Sequence, residues 1–179
     1  MSIIATLERA ISEGSLCRLS PALGQTPRRT LLVHRDIDTL MTERGNHRSI
    51  GGMRGYLEGF VRGDYITMGM TPREHGPAIM GRLKPISEGT WDFRCIDPSP
   101  AIRVFGRFAC QNIFVAMEFW PRSRRIPGID RMPLGDFDSL EWHMAMGETD
   151  LRWKNILPDI EPLIGNSASD YISENADSV

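Results

Sequence analysis

A chain of 179 residues with 41% hydrophobic and 25% charged residues has the composition of an ordinary globular protein with its own core. No apolar run approaches the roughly 18 residues of a membrane helix, and three scattered cysteines, Cys17, Cys95 and Cys110, exclude a disulfide framework or a paired-cysteine metal site. The net charge of −2 hides an asymmetry: ten acidic and two basic residues lie from Asp136 onward, leaving nineteen basic and thirteen acidic before it.

The basic set is nineteen arginines and only two lysines, Lys84 and Lys154. A GC-rich genome favours arginine codons, and selection for planar, bidentate phosphate recognition favours the same residue. The N-terminus carries Glu8 and Glu13 and no basic leader ahead of an apolar block, so no secretory signal is expected. Unpaired cysteines fit a reducing, cytoplasmic setting.

Ile3, Ile4, Leu7 and Ile11 at helical spacing, with Ser2 as cap, predict a helix over 2–13. Residues 15–29 hold two prolines and a glycine and read as a connector. Thr30 to Val33 suits a short buried strand, and Asp36 suits the cap of a helix carrying Ile37, Leu40 and Met41. The glycine-rich 45–55 reads as a loop or broken helix and matches neither the Walker nor the dinucleotide spacing. A helix follows over 53–62, stopped at Gly63–Asp64, and YITMGM reads as a strand or extended link.

From Ala78 the pattern alternates. A strand is expected over 78–86, with Pro85 suggesting a sheet edge, and three more over 90–96, 101–108 and 113–120, separated by short turns of which Asp97-Pro98-Ser99-Pro100 is the clearest. Pro121 to Pro133 is a loop rich in arginine. Residues 136–157 read as helix, in one or two pieces divided at Gly147, and 158–179 as an acidic, flexible tail. The fold class expected is α+β: N-terminal helices packed on a three- or four-stranded antiparallel β-meander, with a C-terminal helical segment. The domain would span 1–157, helical in 1–63, sheet in 78–120 and helical again in 136–157.

The candidate site residues are the arginines of this sheet and its exit. Arg103 and Arg107 are four residues apart and share a strand face, and hairpin register brings Arg94 near Arg103. Arg122, Arg124 and Arg125 follow the last strand. Grouped guanidiniums bind phosphates through fork-shaped, charge-assisted hydrogen bonds. The plain alternative is a solvated sheet face whose arginines pair with Asp92 and Glu118 across strands.

Leu83, Gly89-Thr90-Trp91-Asp92-Phe93-Arg94, Ile102-Arg103-Val104, Phe114-Val115-Ala116 and Arg122-Ser123-Arg124-Arg125 together resemble the sheet core of RelE/HigB-type toxins, ribosome-associated mRNA endoribonucleases of toxin–antitoxin pairs. The resemblance covers roughly 30–126, with two helices ahead of the sheet at 36–43 and 53–62. It implies RNA as ligand, the ribosome or an antitoxin as protein partner, phosphate binding by Arg94, Arg103, Arg124 and Arg125, and cleavage that needs no metal or cofactor. The chain departs from the family pattern in its extra segments at both ends, its negative total charge and its arginines in place of exit lysines. Arginine stays protonated and is a poor base, so cleavage with Arg103 and Arg124 as charge stabilisers would need an imidazole, from His75 or else His143.

Three other readings accompany this one. A non-enzymatic protein-interaction module of phage, plasmid or defence origin would use the arginine face or the Met/Trp-rich helix at 140–157. A metal-dependent nuclease would use His34, Asp36 and Asp38, against the simpler reading of a helix cap. The acidic tail would fold over the arginine face as an internal mimic of nucleic acid.

Overall fold

The computed structural model describes residues 2–21, 24–72 and 76–179. In chain order the elements are α1 (Ile3–Ser12), β1 (Leu16–Arg18), β2 (Thr30–His34), α2 (Arg35–Arg44), α3 (Arg48–Arg62), β3 (Ile66–Gly69), β4 (Met80–Arg82), β5 (Thr90–Cys95), β6 (Ile102–Cys110), β7 (Ile113–Pro121), α4 (Leu140–Ile156), α5 (Ala168–Tyr171) and β8 (Ala176–Ser178). The strands form one eight-stranded sheet in the order β1-β2-β7-β6-β5-β4-β3-β8.

This sheet corrects the expectation of a three- or four-stranded antiparallel meander. The antiparallel run β5-β6-β7 is its centre, but β2 joins β7 in parallel and β3 joins both β4 and β8 in parallel. Of the strands outside that centre, β2 and β4 fall where strands were expected, while β1, β3 and β8 are three or four residues long, too short to show a period of two. Leu31, Leu32 and Val33 of β2 are fully buried, as expected for a strand covered on both faces.

Helices cover both faces of the sheet. On one, α2, α3 and α5 pack over Trp91, Phe93, Ile102, Val104, Phe108 and Phe114. On the other, α1 and the C-terminal half of α4 cover Leu32, Val115 and Met117, while the N-terminal half of α4 sets Trp142 and Ala145 against Phe105 and Trp120. Ser2 caps α1, its Oγ accepting from Ala5 N at 3.2 Å. Ile3 and Ile4 are nonetheless exposed, and Thr6, Leu7 and Ala10 face the core.

The glycine-rich 45–55 is not a loop: α3 begins at Arg48 and runs through it. A Cβ on Gly52 would lie 2.2 Å from Pro98 Cδ, so the bare glycine lets the β5–β6 turn pack against the helix. Helix α4 likewise runs through Gly147 without a break. In β7 an extra residue interrupts the pairing, Phe105 lying opposite Glu118 but Gly106 opposite Ala116. Such a bulge resets which way the following side chains point, and Glu118 arrives on the α4 face.

The C-terminal segment, expected to be a flexible tail, is built into the fold. Tyr171 is fully buried, with its ring 4.8 Å from that of Trp91 and 5.1 Å from that of Phe108, and β8 pairs with β3. Its acidic side chains turn to other partners than the strand arginines: Asp159 to Arg9, Asp170 to the N-terminus of α5 and Asp177 to Tyr65. The expected tail-over-arginine cover is therefore not the arrangement adopted. Among the described residues, no helix is long and apolar enough to cross a membrane.

Candidate nucleic-acid interface

Alternation places Thr90, Asp92 and Arg94 of β5 on the α4 side of the sheet with Arg103, Phe105 and Arg107 of β6. Arg94 lies directly opposite Arg103, and Asp92 opposite Gly81 of β4. Asp92 has no exposed surface, and both neighbouring guanidiniums turn onto it. Arg94 Nε donates to its two carboxylate oxygens at 3.4 and 3.3 Å, and Arg103 Nε stands 3.1 Å from Oδ2. A Cβ at Gly81 would lie 2.2 Å from Arg94 Nη2 and 2.4 Å from Asp92 Oδ1, so glycine there is what leaves room for the pair.

Burial pushes the Asp92 carboxyl above its ordinary range, while Arg103 and Arg94 pull it down. Burial also lowers the Arg103 pKa; Asp92 opposes this, and Arg94 and Arg122 add to it by repulsion. Two guanidiniums facing one carboxyl leave an excess of positive charge in either protonation state of Asp92. Arg103 Nε meets Asp92 only as an ion pair, and Arg103 Nη1, also buried, makes no hydrogen bond. Buried donors without acceptors are uncommon in native proteins.

The exit of β7 brings further arginines to this end of the sheet. Arg122 is anchored through its backbone N to Ala101 O at 2.8 Å and through Nη1 to the Gly135 carbonyl, and its guanidinium lies 5.8 Å from the Phe137 ring centre. Arg124 reaches across to the β5–β6 turn, donating to Ser99 Oγ at 3.1 Å. Arg125 is exposed and lies against Met132. Arg94, Arg103, Arg122 and Arg124 thus gather around the β5–β6 turn and the end of β7.

Arg107 does not join them. It sits roughly 13 Å along β6 from Arg103 at the usual rise per residue. Its Nε donates to Thr90 Oγ1 at 3.2 Å and its Nη2 to Asp150 Oδ1 at 3.1 Å. Its side chain is 3% exposed, which makes it a structural cross-tie between sheet and α4.

His75 lies outside the described residues. His143 is exposed on α4, with Nδ1 2.8 Å from Ser139 O, and lines a cavity of about 560 Å³ between α4 and the 82–88 segment. The Met/Trp-rich helix is divided by burial. Trp142 and Trp153 belong to the core, whereas Leu140, Met144 and Leu151 are exposed, the first two beside Met132 and Trp120.

His34, Asp36 and Asp38 do not form a metal cradle, because the Arg152 guanidinium is already seated between the first two. Its Nη1 is 2.6 Å from His34 Nδ1 and its Nη2 2.7 Å from Asp36 Oδ2, and it also reaches Glu118 Oε1 at 2.8 Å. Glu118 is fully buried and binds Arg131 as well. Nothing in the spacing of these residues announces the network, since it joins β2, α2, β7 and α4 through the β7 bulge.

This network sets a pH dependence. Burial, then repulsion by Arg152, lowers the His34 pKa from 6.5 to about 4, against a smaller opposing pull from Asp36. The unfolded chain therefore binds the proton more readily than the folded one between those values, and stability falls as pH drops through that window. The loss is expected to be on the order of 2–3 kcal/mol. Urea unfolding at about pH 7 and about pH 4.5, in wild type and His34→Gln, reads it. The difference between the two pH values should shrink in the variant; an unchanged difference would assign the acid sensitivity to other groups.

Comparison of the chain with family models, curated proteins and solved structures finds no match.

Proposed function

We propose that the protein binds RNA through the arginines around the β5–β6 turn, as the resemblance to RelE/HigB-type toxins implies. The observation that carries the reading is the excess positive charge where Arg94 and Arg103 share the buried Asp92, with the more accessible Arg122 and the exposed Arg124 alongside to meet a phosphate. Messenger RNA on the ribosome is the ligand the resemblance implies. Metal-independent cleavage would use Arg103 and Arg124 to stabilise charge at phosphorus and an imidazole to move the proton.

Binding of a single-stranded RNA at increasing salt tests this. Counterion release requires affinity to fall steeply with salt, and Arg122→Ala and Arg124→Ala should each reduce the slope by about 1. Salt-independent binding, or slopes unchanged in both variants, would reject the reading. A second reading, a protein partner seated on Met132, Leu140 and Met144, is favoured by their exposure at 49%, 71% and 46%. In that case Met144→Glu would abolish partner capture and leave the RNA titration untouched, and capture unaffected by Met144→Glu would remove this reading.

A further inference from the structure

We infer that the outward face of α4 is a self-association surface, on which a second copy of this chain lays its own α4 antiparallel. The inference rests on the second reading above, that this face takes a protein, and names the occupant. Leu140, Met144, Gly147 and Leu151 follow one another at steps of four, three and four, the spacing that keeps side chains on one line along a helix. All four are exposed, Leu151 by 60%. Trp142, Ala145, Thr149 and Trp153, on the opposite side, are buried. The fold thus covers one apolar side of α4 and leaves a second apolar line pointing away from the sheet, where an interaction surface is the physical expectation.

The order of residues along the line selects a second copy. A two-fold axis between Met144 and Gly147 sets Leu140 against the partner's Leu151 and Met144 against the partner's Gly147, and symmetry repeats both contacts. A Cβ built on Gly147 meets nothing within 4 Å, so its missing side chain leaves a hollow for the partner's Met144, large facing small at both central levels. Beside Leu140 lies a trough of about 540 Å³, also lined by Met132 and Met144, and the partner's Leu151 arrives at its mouth. On one flank His143 comes within a turn of the partner's Asp150. On the other, Glu141 approaches the partner's Glu148, whose charge is offset by Arg131 at 3.4 Å. A 17-residue helix is only about 25 Å long and roughly 10 Å across, well short of the ~800 Å² per partner of a standard interface. The dimer is therefore a weak one, with a dissociation constant on the order of 10–100 μM.

Sedimentation velocity of the full chain from about 5 to about 500 μM reads the association. Wild type should pass from monomer to dimer over this range. Leu151→Glu, exposed and outside the trough, and Gly147→Glu, where an added side chain has room, should each weaken the dimer by about 10-fold or more while circular dichroism shows both folded. A wild type that stays monomeric, or a dimer indifferent to both variants, overturns the inference. If wild type is monomeric and Met144→Glu still abolishes capture of a different protein, the second copy is overturned and the second reading stands. Register is read by oxidising a mixture of Leu140→Cys and Leu151→Cys chains. A disulfide should join one variant to the other, and neither should link to itself, because antiparallel pairing parts like positions by about 16 Å. Either variant linking to itself would overturn the antiparallel arrangement.

Discussion

Replacing Asp92 with alanine is expected to destabilise the fold by about 3–5 kcal/mol, the usual penalty for leaving buried charge without its partner. Asp92 has no exposed surface, and the Arg94 and Arg103 side chains are each 12% exposed. Removing the carboxylate leaves two guanidiniums facing one another in a site that water scarcely reaches. Urea unfolding of Asp92→Ala measures the loss, and Asp92→Ala combined with Arg94→Ala should recover part of it. A loss below about 1 kcal/mol, typical of exposed ion pairs, would mean that the three groups are solvated and that no charge is stored there. In Asp92→Asn, studied where it remains folded, RNA affinity at low salt should be at least that of wild type, because positive charge has been gained.

Tyr171→Ala is the second large effect, about 3–5 kcal/mol by analogy with other buried aromatics cut to alanine. The ring fills the space between Trp91 and Phe108, and the hydroxyl accepts from Gly165 N at 2.7 Å and donates to Gly165 O at 3.2 Å. Tyr171→Phe keeps the packing and loses only those bonds, for about 1 kcal/mol. Thermal or urea unfolding of the two variants separates packing from hydrogen bonding. If Tyr171→Ala unfolds like wild type, the C-terminal segment is not part of the core.

The contrast between β5–β7 and the rest of the sheet shows what local pattern carries. Trp91, Phe93, Ile102, Val104 and Phe108 alternate over runs of six to nine residues, so strands, turns and the position of Arg94 opposite Arg103 follow from periodicity. β3 and β8 are four and three residues long and pair with each other across 110 positions, a partnership no local pattern carries. The polar, acidic composition of 165–179 concealed Tyr171 and Ile172, two buried side chains that outweigh the charges around them. The start of helix α3 was obscured by its glycines, of which Gly52 lies against Pro98, a relation across 46 positions that no window of sequence contains.

The candidate site was legible to the same degree. Alternation brings Arg94, Arg103 and Arg107 to one face, but only the packing of α4 separates Arg107, through Asp150, from the other two. Gly81 opposite Asp92 gives no signal in sequence, and neither does Phe137, which lies in a loop and joins the arginines to the cavity beside α4. The β7 bulge also decides the partners of Glu118, sending it to Arg131 and Arg152 and leaving Asp92 as the carboxylate nearest to Arg94 and Arg103. The positive charge left at that end of the sheet is thus set by three-dimensional pairing, with the arginine count only its raw material.

Whether Arg94, Arg103 and Arg122 act as one phosphate site is read by their side-chain Nε–Hε resonances in arginine-labelled protein titrated with a short single-stranded RNA at low salt. Arg103 and Arg122 should shift together and saturate at the same RNA concentration, while Arg107, held by Thr90 and Asp150, stays in place. Shifts confined to exposed arginines such as Arg125, or an Arg107 that moves as much as Arg103, would contradict a shared site.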